Sequence, residues 1–239
     1  MSNNLVNKYD SKYENKYDPN IYFDKIFIIN LDKCRDRWKK IKNNLEENGI
    51  YNYERQPGVQ LPRVDPFKHI NSRLYLNFEA YGGKYKNDKN YILNVVGGNM
   101  AHFQIIRKSI ARNYNRIMVL EDDSFLNRNF KINFSEGVSK LSHWDLLYLG
   151  FKKSQPKLPC RKVSRELIQP FGKIRGAYGY AVNKSIFPYL LRAYLYNGME
   201  IDVFYEYYII NNKRVYAFFP QIVGHRDKLQ STITHRNWK

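Results

Sequence analysis

Three consecutive carboxylates, Glu121, Asp122 and Asp123, close the apolar run Ile117-Met-Val-Leu120. Acids crowded in this way repel one another unless solvent or a cation relieves them. Hard divalent ions such as Mn²⁺ or Mg²⁺ take oxygen ligands and often share them with substrate phosphates. The triplet therefore fits a cation that acts as Lewis acid and template for a phosphorylated leaving group. A solvated acidic turn accounts for the same residues. Alternate strand residues share a face, so Glu121 and Asp123 are expected together, with Asp123 the direct ligand and Asp122 turned away.

Other residues could complete such a site. His225, in Gln221-Ile-Val-Gly-His225, follows the last expected strand and is a candidate third ligand, or an ordinary hydrogen-bonded histidine. Asp202, in Met199-Glu-Ile-Asp-Val203, opens a helix after Gly198. There it serves either as a general base for an acceptor hydroxyl or as a first-turn acid complementing the helix dipole. Arg35 and Arg37 lie just past the first strand, in reach of a base or phosphate, or on a solvated helix face. His102, close to Gly97-Gly98, suggests an anion seat at a helix start, or simple helix packing.

These residues need a sheet to hold them. Lys25 to Asn30 and Ile117 to Leu120 have the length and apolar, β-branched character of buried strands. Open α/β sheets bind ligands beyond the carboxyl ends of such strands, where the acidic triplet would project. Asp32 is expected to cap a helix carrying Trp38, Ile41 and Leu45 and ending at Gly49. Tyr51 to Tyr91, with Pro57, Pro62, Pro66 and Gly82-Gly83, reads as irregular. A helix is predicted from about Asn99 to Arg112, with Met100, Phe103, Ile106 and Ile110 inward. Asp145 to Gly150 reads as a strand, and Phe151 to Pro170 as a basic loop or hairpin. Arg175 to Val182 reads as a strand whose two glycines suggest close approach to a ligand or another chain. Ser185 is expected to cap a helix to about Tyr196, followed by a helix over Glu200 to Asn211 and a strand over Arg214 to Pro220.

The chain of 239 residues carries 40 Lys and Arg against 22 Asp and Glu, a formal charge of +18. That excess favours anionic partners without choosing among phosphorylated donors, nucleic acid, acidic glycans and lipid head groups. The two cysteines, Cys34 and Cys160, read as ordinary thiols, which suits a reducing compartment. Met1 to Asn20 is polar and lacks an apolar leader core, so residues 1–20 are expected to be a flexible arm before one domain over 21–239. Nothing approaches the ~20 apolar residues that cross a bilayer. A soluble, cytoplasmic protein is expected, with peripheral membrane contact and a homodimer both open.

Taken together, the motifs resemble glycosyltransferase family 25. Ile28-Ile-Asn-Leu-Asp-Lys-Cys-Arg-Asp-Arg37 is similar to the family's opening segment, Gly97-Gly-Asn-Met-Ala-His102 to its helix start, and Val119-Leu-Glu-Asp-Asp123 to its metal motif. Gly176 to Val182, Ile201-Asp202 and Tyr216 to Pro220 follow in the family's order. Gly98 and Ala101 stand where the family usually has Cys and Ser. The resemblance implies a GT-A-type α/β domain with a mixed, mostly parallel central sheet flanked by helices. It also implies UDP-glucose or UDP-galactose as donor, Mn²⁺ or Mg²⁺, and inverting transfer to a glycan, lipid-linked glycan or protein. Asp123, Glu121 and His225 become the implied metal group and Asp202 the implied base. Asn30, Leu31, Arg37, His102, Glu121, Asp122, Gly176 and Tyr178 become the implied donor contacts. The rival is a basic protein that binds single-stranded nucleic acid without catalysis, since charge and aromatics suit backbone contacts and stacking. No nucleic-acid module accompanies them, and a stable nucleic-acid partner is not expected.

Overall fold

The computed structural model describes residues 16–62, 88–153, 158–196 and 199–226. A short helix, α1 (Pro19–Tyr22), capped by the Asp18 side chain, leads into β1 (Lys25–Asn30), α2 (Arg35–Glu47) and β2 (Tyr53–Pro57). The long helix α3 (Lys89–Ala111) precedes β3 (Arg116–Glu121), β4 (Ser124–Leu126), α4 (Phe130–Val138) and β5 (Leu146–Lys153). The hairpin of β6 (Cys160–Lys162) and β7 (Leu167–Pro170) follows, then β8 (Ile174–Asn183) and α5 (Phe187–Tyr196). The chain continues through α6 (Ile201–Phe204), a π-helical turn at Tyr205–Ile209, β9 (Val215–Phe218) and β10 (Val223–His225). The stretch expected to be a flexible arm lies outside the described residues as far as 15.

Eight strands form one sheet in the order β2-β1-β3-β8-β5-β9-β7-β6, and β4 pairs with β10 separately. The expectation of a mostly parallel sheet is corrected. β1 runs parallel to β2 and β3, and β5 to β9. The remaining four pairings, β3 with β8, β8 with β5, β9 with β7 and β7 with β6, are antiparallel. The reason is topological. Helical crossovers make the first three strands parallel, but β8 then inserts in reverse between β3 and β5, and a two-strand hairpin closes the far edge. Apolar runs mark a buried strand without its direction.

Strand alternation divides the core between the two faces of the sheet. Phe27, Ile117, Val119, Tyr148 and Tyr180 pack on one face with Ile105 and Ile106 of α3 and Leu190 of α5. Ile26, Ile28, Met118, Leu120 and Leu147 pack on the other with Phe130 and Phe134 of α4. Ile117 to Leu120 are essentially fully buried, as the sequence implied.

Several local expectations change. Residue 34, not Asp32, is the N-cap of α2, and Asp32 instead pairs with Arg55 at 2.6 Å. Within the segment expected to be irregular, β2 adds a polar edge strand, while 63–87 lie outside the described residues. Helix α3 starts ten residues earlier than predicted, because the Asp88 side chain accepts from the Asn90 and Tyr91 amides at 3.0 and 3.1 Å. Gly97 therefore sits inside the helix, where a Cβ would come within 2.2 Å of the Val59 carbonyl oxygen. Ile106 is buried as expected, in a stripe with Ile92, Val95, His102, Ile105 and Ser109, whereas Met100 and Ile110 are exposed. Asn183, rather than Ser185, caps the 3₁₀ turn that leads into α5. The final strand is β10, beyond the one predicted. Among the described residues no helix is long and apolar enough to cross a membrane.

Candidate active site

The acidic triplet lies where β3 ends. Glu121 is the last strand residue, and the chain then turns through Asp122 and Asp123 into β4. This turn ends the strand alternation, so Asp122 and Asp123 do not point to opposite faces as expected. One guanidinium bridges them: Arg37 Nη1 stands 3.2 Å from Asp122 Oδ1 and 3.4 Å from Asp123 Oδ2. Asn30, buried at the end of β1, donates from Nδ2 to Asp122 Oδ2 at 2.7 Å and to the Cys34 carbonyl at 3.0 Å. Strand register explains the meeting, because Ile29 lies opposite Glu121 and places the two strand ends side by side.

The third element is β10. His225 pairs in register with Ser124, and its Nε2 lies 3.5 Å from Asp123 Oδ1. That spacing is an ion-pair distance rather than a hydrogen bond, and the buried Oδ1 has no hydrogen-bond partner. The Arg226 amide donates to the Asp123 carbonyl at 2.8 Å, fixing the turn from the other side. The Tyr178 ring lies 5.0 Å from the His225 ring, and the Tyr178 hydroxyl bonds to the Phe151 carbonyl at 2.9 Å.

Asp202 approaches from α6. Its Oδ2 accepts from the Gly176 amide at 2.9 Å and its Oδ1 from the Val203 amide at 2.8 Å, so two backbone donors orient the carboxylate. Its charge reaches Glu121. Burial first, and then the neighbouring charges of Asp123, Asp122 and Asp202, push the Glu121 carboxyl well above the usual carboxylate range. Burial also raises Asp122, assisted by Asp123 and opposed by Asn30 and Arg37. Burial acts on Asp123 in the same direction, but His225 and Arg37 outweigh it and hold that carboxyl below its ordinary value.

The structure thus gathers Asn30, Arg37, Glu121, Asp122, Asp123, Gly176, Tyr178, Asp202 and His225 at one end of the central strands. Leu31 packs its side chain against Gly58, and its carbonyl accepts from the Cys34 amide at 2.8 Å. His102 is separate: it is buried inside α3, with Nδ1 2.7 Å from the Tyr180 hydroxyl, and not at a helix start. Arg35 is exposed.

Sequence reading missed Arg55. Its Nε donates to Asn30 Oδ1 at 2.9 Å, holding the amide that holds Asp122. The only signal was position, since β2 lies beside β1 with Arg55 opposite Ile28. It also missed Glu200, which accepts from the Tyr91 hydroxyl, and Glu206, which pairs with Arg175 at 3.0 Å.

Among the described residues, no group of three or more His, Cys, Asp and Glu side chains is arranged to hold a metal ion by itself. What does fit a hard cation is the donor chemistry: a buried, unsatisfied carboxylate oxygen on Asp123 beside the Glu121 carboxyl. A site of this kind would leave most coordination positions to water and a diphosphate.

The model of "Glycosyltransferase family 25 (LPS biosynthesis protein)" matches residues 23–205. Procollagen galactosyltransferase 2 of Mus musculus is 29% identical over 157 residues, covering 62% of this chain and 24% of that protein. "Inactive glycosyltransferase 25 family member 3" of Homo sapiens is 29% identical over 147 residues, covering 57% of this chain and 23% of that protein. The chain spans about a quarter of the length of the curated relatives it matches. A solved glycosyltransferase involved in glycosylation of the major capsid of PBCV-1 covers 71% of this chain and 64% of its own at 11% identity, with a TM-score of 0.34, too low to bear on the fold. With most of its length matched by the family model, the chain belongs to glycosyltransferase family 25.

Proposed function

We propose that this protein transfers a hexose, glucose or galactose, from a UDP-sugar to a hydroxyl of a glycan, lipid-linked glycan or protein acceptor, with inversion at the anomeric carbon. The observation that carries this reading is the strand-end triplet, with Arg37 bridging Asp122 and Asp123 and His225 set beside Asp123, together with an Asp202 carboxylate held by the Gly176 and Val203 amides. Family membership supports the class of reaction. Similarity to both a galactosyltransferase and a protein named inactive leaves activity to the site residues themselves.

Asp123 and Glu121 would hold Mn²⁺ or Mg²⁺, with His225 beside Asp123. A divalent cation there supplies Lewis-acid stabilisation of a diphosphate leaving group. The chain's own residues do the rest. Arg37 balances the charge of Asp122 and Asp123, and Asn30, held by Arg55, fixes Asp122. The main-chain amides of Gly176 and Val203 keep Asp202 oriented to accept the acceptor's hydroxyl proton. The freed oxygen attacks the anomeric carbon as the bond to UDP breaks, and the bonding pair leaves with the diphosphate. A single displacement of this type inverts the carbon.

The test is a screen of nucleotide sugars for hydrolysis and transfer, with and without Mn²⁺, on the wild-type chain and Asp123→Ala. Turnover that needs Mn²⁺ and disappears in the variant is expected. Unchanged turnover in a folded Asp123→Ala protein would remove the proposed metal site.

A further inference from the structure

The opposite end of the same sheet holds a cavity of about 370 Å³. Four adjacent strands converge on it. β3 begins at Arg116, which lies opposite Asn183 at the end of β8, while Trp144 stands two residues before β5 and Arg214 immediately before β9. All four residues line the cavity, together with Lys16 and Tyr22. The five-residue step from Arg116 to Glu121 is ~17 Å of strand, so this cavity is separate from the acidic site.

Its charge is set up for an anion. Arg214 is already committed to Asp145, with bonds of 3.1 and 3.0 Å. Arg116 has no such partner: it makes no ion pair among the described residues, and its buried Nε has no hydrogen-bond acceptor. Its guanidinium is held 4.1 Å over the Tyr22 ring, a cation–π contact that orients the plane. Trp144 Nε1 donates to the Tyr22 hydroxyl at 2.8 Å, which leaves that hydroxyl's own proton to donate. Lys16 adds a second cation at the rim. A fixed guanidinium, a phenolic donor and an ammonium are the groups that recognise a phosphate. The volume admits more than the bare ion.

We propose that this cavity is a second binding site, taking a phosphate monoester of about monosaccharide size, with Arg116 as its anchor. Titration of the whole chain with glucose 1-phosphate and with inorganic phosphate, without Mn²⁺ and followed by calorimetry, tests it. Glucose 1-phosphate should bind, and Arg116→Gln should weaken it by about tenfold or more. Lys16→Gln, at an exposed side chain whose loss leaves the fold alone, should weaken it about two- to fivefold. Asp123→Ala and saturation with UDP should leave the affinity unchanged, so the outcome does not depend on the proposed donor site. Undiminished binding to Arg116→Gln and Lys16→Gln, competition by UDP, or no binding at millimolar ligand would each overturn the site. Equal affinity for inorganic phosphate would overturn its monosaccharide size.

Discussion

Arg37 shows how one side chain makes an acidic site affordable. Its guanidinium serves two carboxylates that burial pushes towards higher pKa, and the three groups are largely withdrawn from solvent. Removing one partner from a buried ionic group costs about 3 kcal/mol or more, because the other charges stay behind. Arg37→Ala should therefore lower the unfolding free energy by roughly that amount, and a urea titration reads it. A loss below ~1 kcal/mol would mean that water already screens the pair. Asp202 is a different case, since amides rather than charges orient it. Asp202→Asn keeps one of the two amide bonds, because its Nδ2 donates and cannot accept, and it cannot take up a proton, so transfer should fall about 10²- to 10⁴-fold while UDP affinity holds. If UDP affinity fell in step with turnover, Asp202 would be a donor contact instead of a base.

At the scale of elements, the site depends on β10 lying close across the sheet. Two glycines make room for it. A Cβ on Gly150 would come within 2.3 Å of the Val223 carbonyl oxygen, and one on Gly179 within 2.7 Å of Val223 Cγ1. Gly179→Ala should thus lift β10, carry His225 away from Asp123, and destabilise the fold by about 1–3 kcal/mol. Because the clash is with a side-chain methyl, Val223→Ala should recover part of the loss. Thermal unfolding of the four proteins in the cycle measures this, and strict additivity would sink the packing argument. The glycines in Arg175 to Val182 were visible in the sequence as a sign of close approach, but the approaching group at Gly179 is the chain's own strand. Other signals were equally partial. The buried run Ile117 to Leu120 and the helical stripe of Ile41 and Leu45 were legible because periodicity reports burial directly. The start of α3 was not, since Gly97-Gly98 reads as a break until the Val59 carbonyl pressed against Gly97 is known. Nor was β2, whose Glu54, Arg55 and Gln56 carry no apolar alternation and instead bind Lys108, Asn30 and Gln104. Sequence spacing found the acids; only register and side-chain packing could find Arg55 as their indirect support.

For the whole molecule, the formal charge of +18 sits around a core that admits little charge. His102 makes that limit measurable. It is buried between α3 and β8, with its Nδ1 against the Tyr180 hydroxyl, and burial pushes its pKa down to about 3. In the unfolded chain the same imidazole titrates near its ordinary value of 6.5. Below that value the unfolded state takes up a proton that the folded state refuses, so stability falls as pH falls from about 6.5 towards 3. It is restored above 6.5, where both states hold the ring neutral. Each pH unit inside the window costs up to ~1.4 kcal/mol. Between pH 7 and pH 5 the wild-type chain should accordingly lose about 2 kcal/mol more than His102→Gln, whose side chain does not titrate. Comparing the two proteins at each pH cancels the contributions of the carboxylates, which titrate in both. Urea unfolding at the two pH values supplies the four numbers, and parallel losses would show that the buried imidazole is charged in the fold.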